Sequence, residues 1–275
     1  RDCGTRQNAF GARTARAPRR RPHPELVWSA MKRLDWTRLR PRPLAERENK
    51  VRIEDFAPWP APGAGPLDLL PDILAGSDWK DFIARYARAA RARRPLLFMI
   101  GGHVIKTGLS PILITLMERG LVSHLAMNGA AAIHDYEIAL QGATSEDVAR
   151  YLDEGIFGLW EETGHGMNAV ALHAAAMGPL VTTGAPGPDG PGFGEALGLA
   201  IRQNEFPHER YSVLAAASRL GIPATVHAAI GAEIIHEHPL CSGAAIGEVS
   251  HRDFRRLTET VARLRGGLET LRHYH

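Results

Sequence analysis

Residues 96–140 read LLFMIGGHVIKTGLSPILITLMERGLVSHLAMNGAAAIHDYEIAL, and their punctuation decides the fold class. Residues 96–100 form an apolar run closed by Gly101-Gly102, as a buried parallel strand with a tight turn at its end would. Ser110-Pro111 opens a helix whose apolar stripe is Ile112, Leu113, Leu116 and Met117 and whose stop is Gly120. Residues 122–127 repeat the strand and end at Asn128-Gly129, and a helix through residues 133–140 follows. Strand, helix, strand, helix with short connections implies right-handed crossovers. The expected fold is therefore α/β, a doubly wound, mainly parallel sheet with helices on both faces.

Upstream, residues 51–76 are rich in proline and glycine and are expected to form an extended linker. Residues 79–94 carry Trp79, Phe82, Ile83, Tyr86 and Ala90 at helical spacing behind a Ser77 or Asp78 cap, and Pro95 ends them. Downstream, Thr144-Ser145-Glu146-Asp147 caps a helix through Leu152, and residues 157–177 read as a long helix hinged at Gly164-His165-Gly166. Residues 178–194 hold six glycines and four prolines and read as a loop. Residues 194–202 and 212–219 are expected to be helical, and 222–227 to be a third buried strand. Residues 253–264 predict an amphipathic helix with Phe254, Leu257, Val261 and Leu264 on one face. The last eight residues, LETLRHYH, stand where an apolar strand belongs, so the chain is expected to be cut short or frame-shifted there. The domain plan is a basic tail over 1–50, the linker over 51–76, the α/β domain over 77–267 and a tail over 268–275.

The chain has 275 residues, 44% of them hydrophobic and 23% charged, enough for one large core or two modest ones. Its two cysteines, Cys3 and Cys241, form no C-x-x-C pair, which argues against a disulfide framework and for a cytoplasmic protein. No uncharged apolar run reaches the roughly 18 residues a span needs, so no membrane partner is expected. Residues 1–50 hold 14 basic and 5 acidic side chains, while the remaining 225 hold 19 and 25. That basic arm carries no groove-reading pattern and no aromatic platform, so nucleic acid is not an expected partner. The first methionine is Met31, and residues 1–30 read as an upstream or disordered extension. Lysine occurs only at Lys32, Lys50, Lys80 and Lys106, which limits the amines available for chemistry.

Three glycine turns fall at strand ends, where backbone amides can approach phosphate. They are Gly101-Gly102-His103 with Thr107-Gly108, then Asn128-Gly129-Ala130, then Gly231 after the third strand. Neither G-x-G-x-x-G nor the P-loop pattern occurs, so the cradle, if nucleotide-binding, is of another kind. Gly102 and Gly231 are its candidate backbone contacts.

Residues 101–140 resemble the deoxyhypusine synthase superfamily. Thr107-Gly108 is similar to its Ser-Gly turn, Asn128-Gly129-Ala130 to its Thr-Ala-Gly turn, and Asp135 to the last acid of its Gly-Val-Glu-Glu-Asp segment. Residues 212–235, SVLAAASRLGIPATVHAAIGAEII, resemble its later helix, strand and glycine turn. The resemblance covers roughly residues 95–265. It implies a Rossmann-like sheet that binds NAD, a small-molecule substrate and a homo-oligomer, often a tetramer. Thr107, Gly108, Asn128, Gly129, Ala130 and Asp135 would line the dinucleotide. Two departures imply a divergent member: His134 replaces a glutamate that holds a polyamine, and the chain ends before the family's imine-forming lysine.

Acid–base groups complete the expectation. His134 and Glu137 are candidate catalytic residues, and Lys106 is a candidate phosphate partner or imine-forming amine. Glu162, beside Glu161, is a candidate for ribose hydroxyls or an amine. The leading expectation is an NAD-dependent oxidation or transfer on a small amine or hydroxyl compound. A metal-dependent hydrolase or lyase using His227, His236, His238 and His251 is the alternative, all four following one strand end. A non-catalytic nucleotide sensor is the third.

Overall fold

The computed structural model describes residues 40–57, 62–177 and 190–264. The expectations for residues 1–39, for most of the loop after 177 and for the final tail lie outside the described residues. The chain divides into compact units over 1–52 and 53–275. Of the first, the described part holds one 3-10 turn, Leu44–Glu46. Two further 3-10 turns, Ile53–Asp55 and Pro66–Leu69, interrupt the expected extended linker.

The second unit is built on a three-stranded sheet of order β1-β2-β3, with β1 at Leu97–Ile100, β2 at His124–Asn128 and β3 at Ala224–His227. Both pairings are parallel. Central β2 is buried over its first four residues, which is why its sequence is a run of core residues and not an alternation. Leu125, Met127 and Val226 are almost wholly buried, each contributing about 1.5–3 kcal/mol by leaving water.

Nine α-helices are assigned among the described residues. They are α1 (Leu74–Arg91), α2 (Gly102–Lys106), α3 (Ser110–Glu118), α4 (Gly129–Gln141), α5 (Val148–Asp153), α6 (Glu161–Ala176), α7 (Phe193–Gln203), α8 (Val213–Leu220) and α9 (Gly243–Arg263). None is long and apolar enough to cross a membrane. Of the caps expected from sequence, the one before α5 is made, while Ser77 and Asp78 do not start α1, which begins earlier, at Leu74, behind Ile73, which makes no side-chain cap bond. Asn128 accepts from Ala131 N–H at 3.0 Å to start α4, and Asp147 accepts from Arg150 N–H at 3.2 Å to start α5.

Three further expectations change. The Gly164-His165-Gly166 hinge is absent, and α6 runs through it. Those glycines serve close packing: a Cβ on Gly164 would lie 2.7 Å from the His238 ring, and one on Gly166 would overlap the Tyr136 hydroxyl. The last helix is longer than 253–264, starting at a Ser242 cap that accepts from Ala245 N–H. Its buried face is Ala245, Ile246, Val249, Arg252 and Asp253, while Phe254 and Val261 face outward. Finally, residues 102–106, read as part of a turn, form a short helix.

A buried carboxylate ties the last helix to the sheet. Asp253 Oδ2 accepts from Gly194 N–H at 2.9 Å and from Val226 N–H at 2.8 Å. Burial pushes its carboxyl up to about 7 despite those two hydrogen bonds. Gly194 also lets α7 lie against β3, since a Cβ there would overlap the Ala224 carbonyl.

Candidate functional site

The three strands finish side by side, with Ile100 paired to Met127 and Asn128 to His227. Beyond their ends lies a cleft of about 230 Å³, lined by Lys106, His134, Glu137, Glu146, Trp160 and Glu233 among others. The structure thus brings together the three candidate catalytic residues, Lys106, His134 and Glu137.

His134 and Glu137 stand one turn apart on α4 and are joined by a hydroxyl. Thr144 Oγ1 lies 2.7 Å from His134 Nδ1 and donates to Glu137 Oε2 at 2.5 Å. Thr163 donates to Glu137 Oε1 at 3.0 Å. Because Thr144 spends its one proton on Glu137, it accepts from His134, so Nδ1 carries the imidazole proton and Nε2 the lone pair. Burial, then the charges of Lys106 and His103, hold the His134 pKa below its ordinary 6.5. The ring lies over buried Gly102, where a Cβ would come within 3.0 Å of it. Gly102 therefore seats an imidazole. The segment that delivers Thr144 is bent by Ser145, a non-glycine residue at φ 70°, a backbone that costs about 1–3 kcal/mol. Next to it, Glu146 accepts from Trp160 Nε1 at 2.8 Å and forms the far wall.

The residues expected to line a dinucleotide divide. Thr107 and Gly108 close α2 in a Schellman turn: Gly108 N–H donates to Ile105 O, Leu109 N–H to Val104 O, and Gly108 sits at φ 86°. Thr107 N–H is spent on His103 O. This is the carbonyl end of a helix with its amides engaged, so the expected phosphate turn there is corrected to a helix stop. Asp135 is also corrected. It is wholly buried and accepts from Ser212 Oγ at 2.6 Å, Val213 N–H at 2.8 Å and Leu214 N–H at 3.1 Å, capping α8 away from the cleft. Burial pushes its carboxyl up to about 6.

Asn128, Gly129 and Ala130 do form a helix N-terminus at a strand end. Its occupant is Glu233, whose carboxylate leaves no room for a Cβ on Gly129. Gly231, at φ 89°, donates to His236 Nδ1 at 3.2 Å and turns the loop that carries Glu233. Glu162 is exposed on the first turn of α6 and does not line the cleft.

The expected metal set does not assemble. His227 Nε2 bonds Thr225, His236 faces Glu233, and His251 stacks on Phe254. Among the described residues His238 alone of the four joins a convergent group, with Glu161 and His165, their ligand atoms within 4.8 Å of one another. There His238 Nδ1 accepts from Leu240 N–H, so Nε2 carries the proton and meets Glu161 at 3.3 Å. That is a hydrogen-bonded pair.

Sequence reading missed Thr144 and Thr163, which read as a cap and a helix residue, and Glu233. A carboxylate two residues past Gly231 was the only signal for the last, and it acquires meaning only when β3 is placed beside β2. No protein-family model matches this chain, and no curated protein matches it.

Proposed function

We propose that the protein is an enzyme that moves a proton to or from a small anionic substrate held in the cleft. The observation that carries this reading is the Glu137–Thr144–His134 chain, which leaves Nε2 unprotonated beside the ammonium of Lys106. A histidine held neutral is a general base at ordinary pH. Lys106 supplies positive charge for the anion that develops when a C–H beside a carbonyl, or an O–H, loses its proton. The cleft volume of about 230 Å³ suits a small metabolite. The test is deuterium incorporation from D2O into a panel of small carbonyl-bearing carboxylates and phosphate esters. The wild type exchanges at least one of them, and H134Q slows that exchange by about 100-fold or more. Exchange on none, or undiminished in H134Q, refutes the proposal.

The second reading keeps the doubly wound, deoxyhypusine synthase-like sheet binding NAD across the ends of β1 and β2. What favours it is the adjacency of Gly102 and the α4 N-terminus, where Ala130 lies 3.3 Å from a Cβ built on Gly102. The engaged amides of Thr107 and Gly108 and the buried Asp135 weigh the other way. Thermal stabilisation by NAD supports it, and its absence removes it.

A further inference from the structure

The N-terminus of α4 is a ready anion site, a 13-residue helix opening at the end of the central strand with Gly129-Ala130 at its start. Glu233 fills it. Glu233 Oε1 accepts from Ala229 N–H at 2.8 Å, and Gly129 N–H also stabilises the charged carboxylate. The fit is incomplete. Oε2 is buried and, among the described residues, makes no hydrogen bond. His236 Nε2 faces it at 3.5 Å, and it too is buried without a partner. The two side chains are only 5% and 9% exposed. Because His236 Nδ1 accepts from Gly231 N–H, Nε2 holds a proton that no acceptor takes, the Glu233 oxygen at 3.5 Å lying beyond ordinary hydrogen-bond length.

A carboxylate brings two oxygens to this seat and leaves one N–H without a bond. A phosphate brings more oxygens and a second charge, and could bond Gly129 N–H and His236 Nε2–H together. Glu233 also lines the cleft with Lys106 and His134, and the loop that carries it is an irregular segment turned by Gly231. From this geometry we infer that Glu233 is an internal stand-in for the phosphate group of the substrate. When a phosphate-bearing metabolite binds, Glu233 leaves Gly129 and the phosphate takes its place, with His236 as its second donor. Until then the carboxylate keeps the seat closed to weaker anions. The inference rests on the cleft being a substrate site, as proposed above, and it names that substrate's class.

Inorganic phosphate is the probe. It is titrated into the full chain, with binding followed by calorimetry and by the amide signal of Gly129. E233A is expected to bind phosphate at least tenfold more tightly than the wild type and to shift the Gly129 amide. E233Q, which keeps the side-chain volume, shows the same direction and carries the test if E233A does not fold. In E233Q, adding H236A removes the gain. Equal phosphate affinity in the wild type and the folded variants overturns the inference, as does tighter binding that leaves Gly129 unmoved. The ring nitrogens of His134, read in the same spectra, report separately on the acid–base proposal. A failure of the phosphate seat is thereby distinguished from a failure of the general base.

Discussion

Substituting Asp135 with asparagine tests which of two opposing effects governs a buried carboxylate. Three donors, the Ser212 hydroxyl and the amides of Val213 and Leu214, favour the charged form, and complete burial opposes it. Burial is the larger effect and raises the carboxyl from its ordinary 3.8 to about 6. A folded-state pKa above the unfolded one means the folded state holds its proton more tightly. The associated stability is therefore fully present below about pH 4 and is lost as pH rises through 6. A rise of roughly two pH units, at about 1.4 kcal/mol each, makes the loss about 3 kcal/mol. Asparagine cannot titrate. Urea unfolding of the wild type and D135N at half-unit steps from pH 4 to 8 should show the difference in unfolding free energy changing by about 3 kcal/mol, to the detriment of the wild type, mostly below pH 6.5. Asp253 titrates in both proteins and cancels. A difference constant across the range, or one that grows in favour of the wild type, would show that the three donors win and refute the reasoning.

Other outcomes follow from single contacts. G194A forces a Cβ into the Ala224 carbonyl, and because backbone cannot swing aside, thermal melts should show a loss of about 1–3 kcal/mol or more. G247A on α9 meets no atom within 4 Å and should instead gain up to about 1 kcal/mol in the same melts. His124 is buried between Thr260 and Thr225, and burial, then the charges of His227 and Arg256, lower its pKa to about 4. Its neutral form is the folded one, so stability should fall by about 3 kcal/mol as pH drops from 6.5 to 4, and nitrogen chemical shifts should show the ring uncharged at pH 5. T144V cuts the link between Glu137 and His134; the ring should lose its single tautomer in nitrogen NMR, and a ring unchanged in that variant would remove the proposed relay.

The parallel sheet was legible because its strands are short apolar runs ending in Gly-Gly, Asn-Gly and a Pro-initiated third repeat. Burial of β2 on both sides writes the same signal into every position. The cap at Asp147 was equally local. What escaped was whatever depends on two segments meeting. Gly164 and Gly166 look like helix breakers from their own neighbourhood, and only His238 and Tyr136 lying against them explain why glycine stands there. Thr107-Gly108 has the composition of a phosphate turn, yet whether an amide is free depends on the helix before it. Asp135 follows the catalytic candidate in sequence but lies about 100° further round α4 and meets Ser212. The pairing of His134 with Glu137 could be read from their spacing, whereas the hydroxyl that joins them comes from the next segment.

The single oxygen of Asp253 that holds both Gly194 and Val226 has a further consequence for how the molecule opens. The start of α7 and the middle of β3 share one acceptor carried on α9, so α9 cannot leave without stranding both donors in the interior. Their amides should exchange with solvent as one cooperative block with a common opening free energy. Replacing that aspartate should split the block into separately exchanging pieces before it lowers the global stability of the rest.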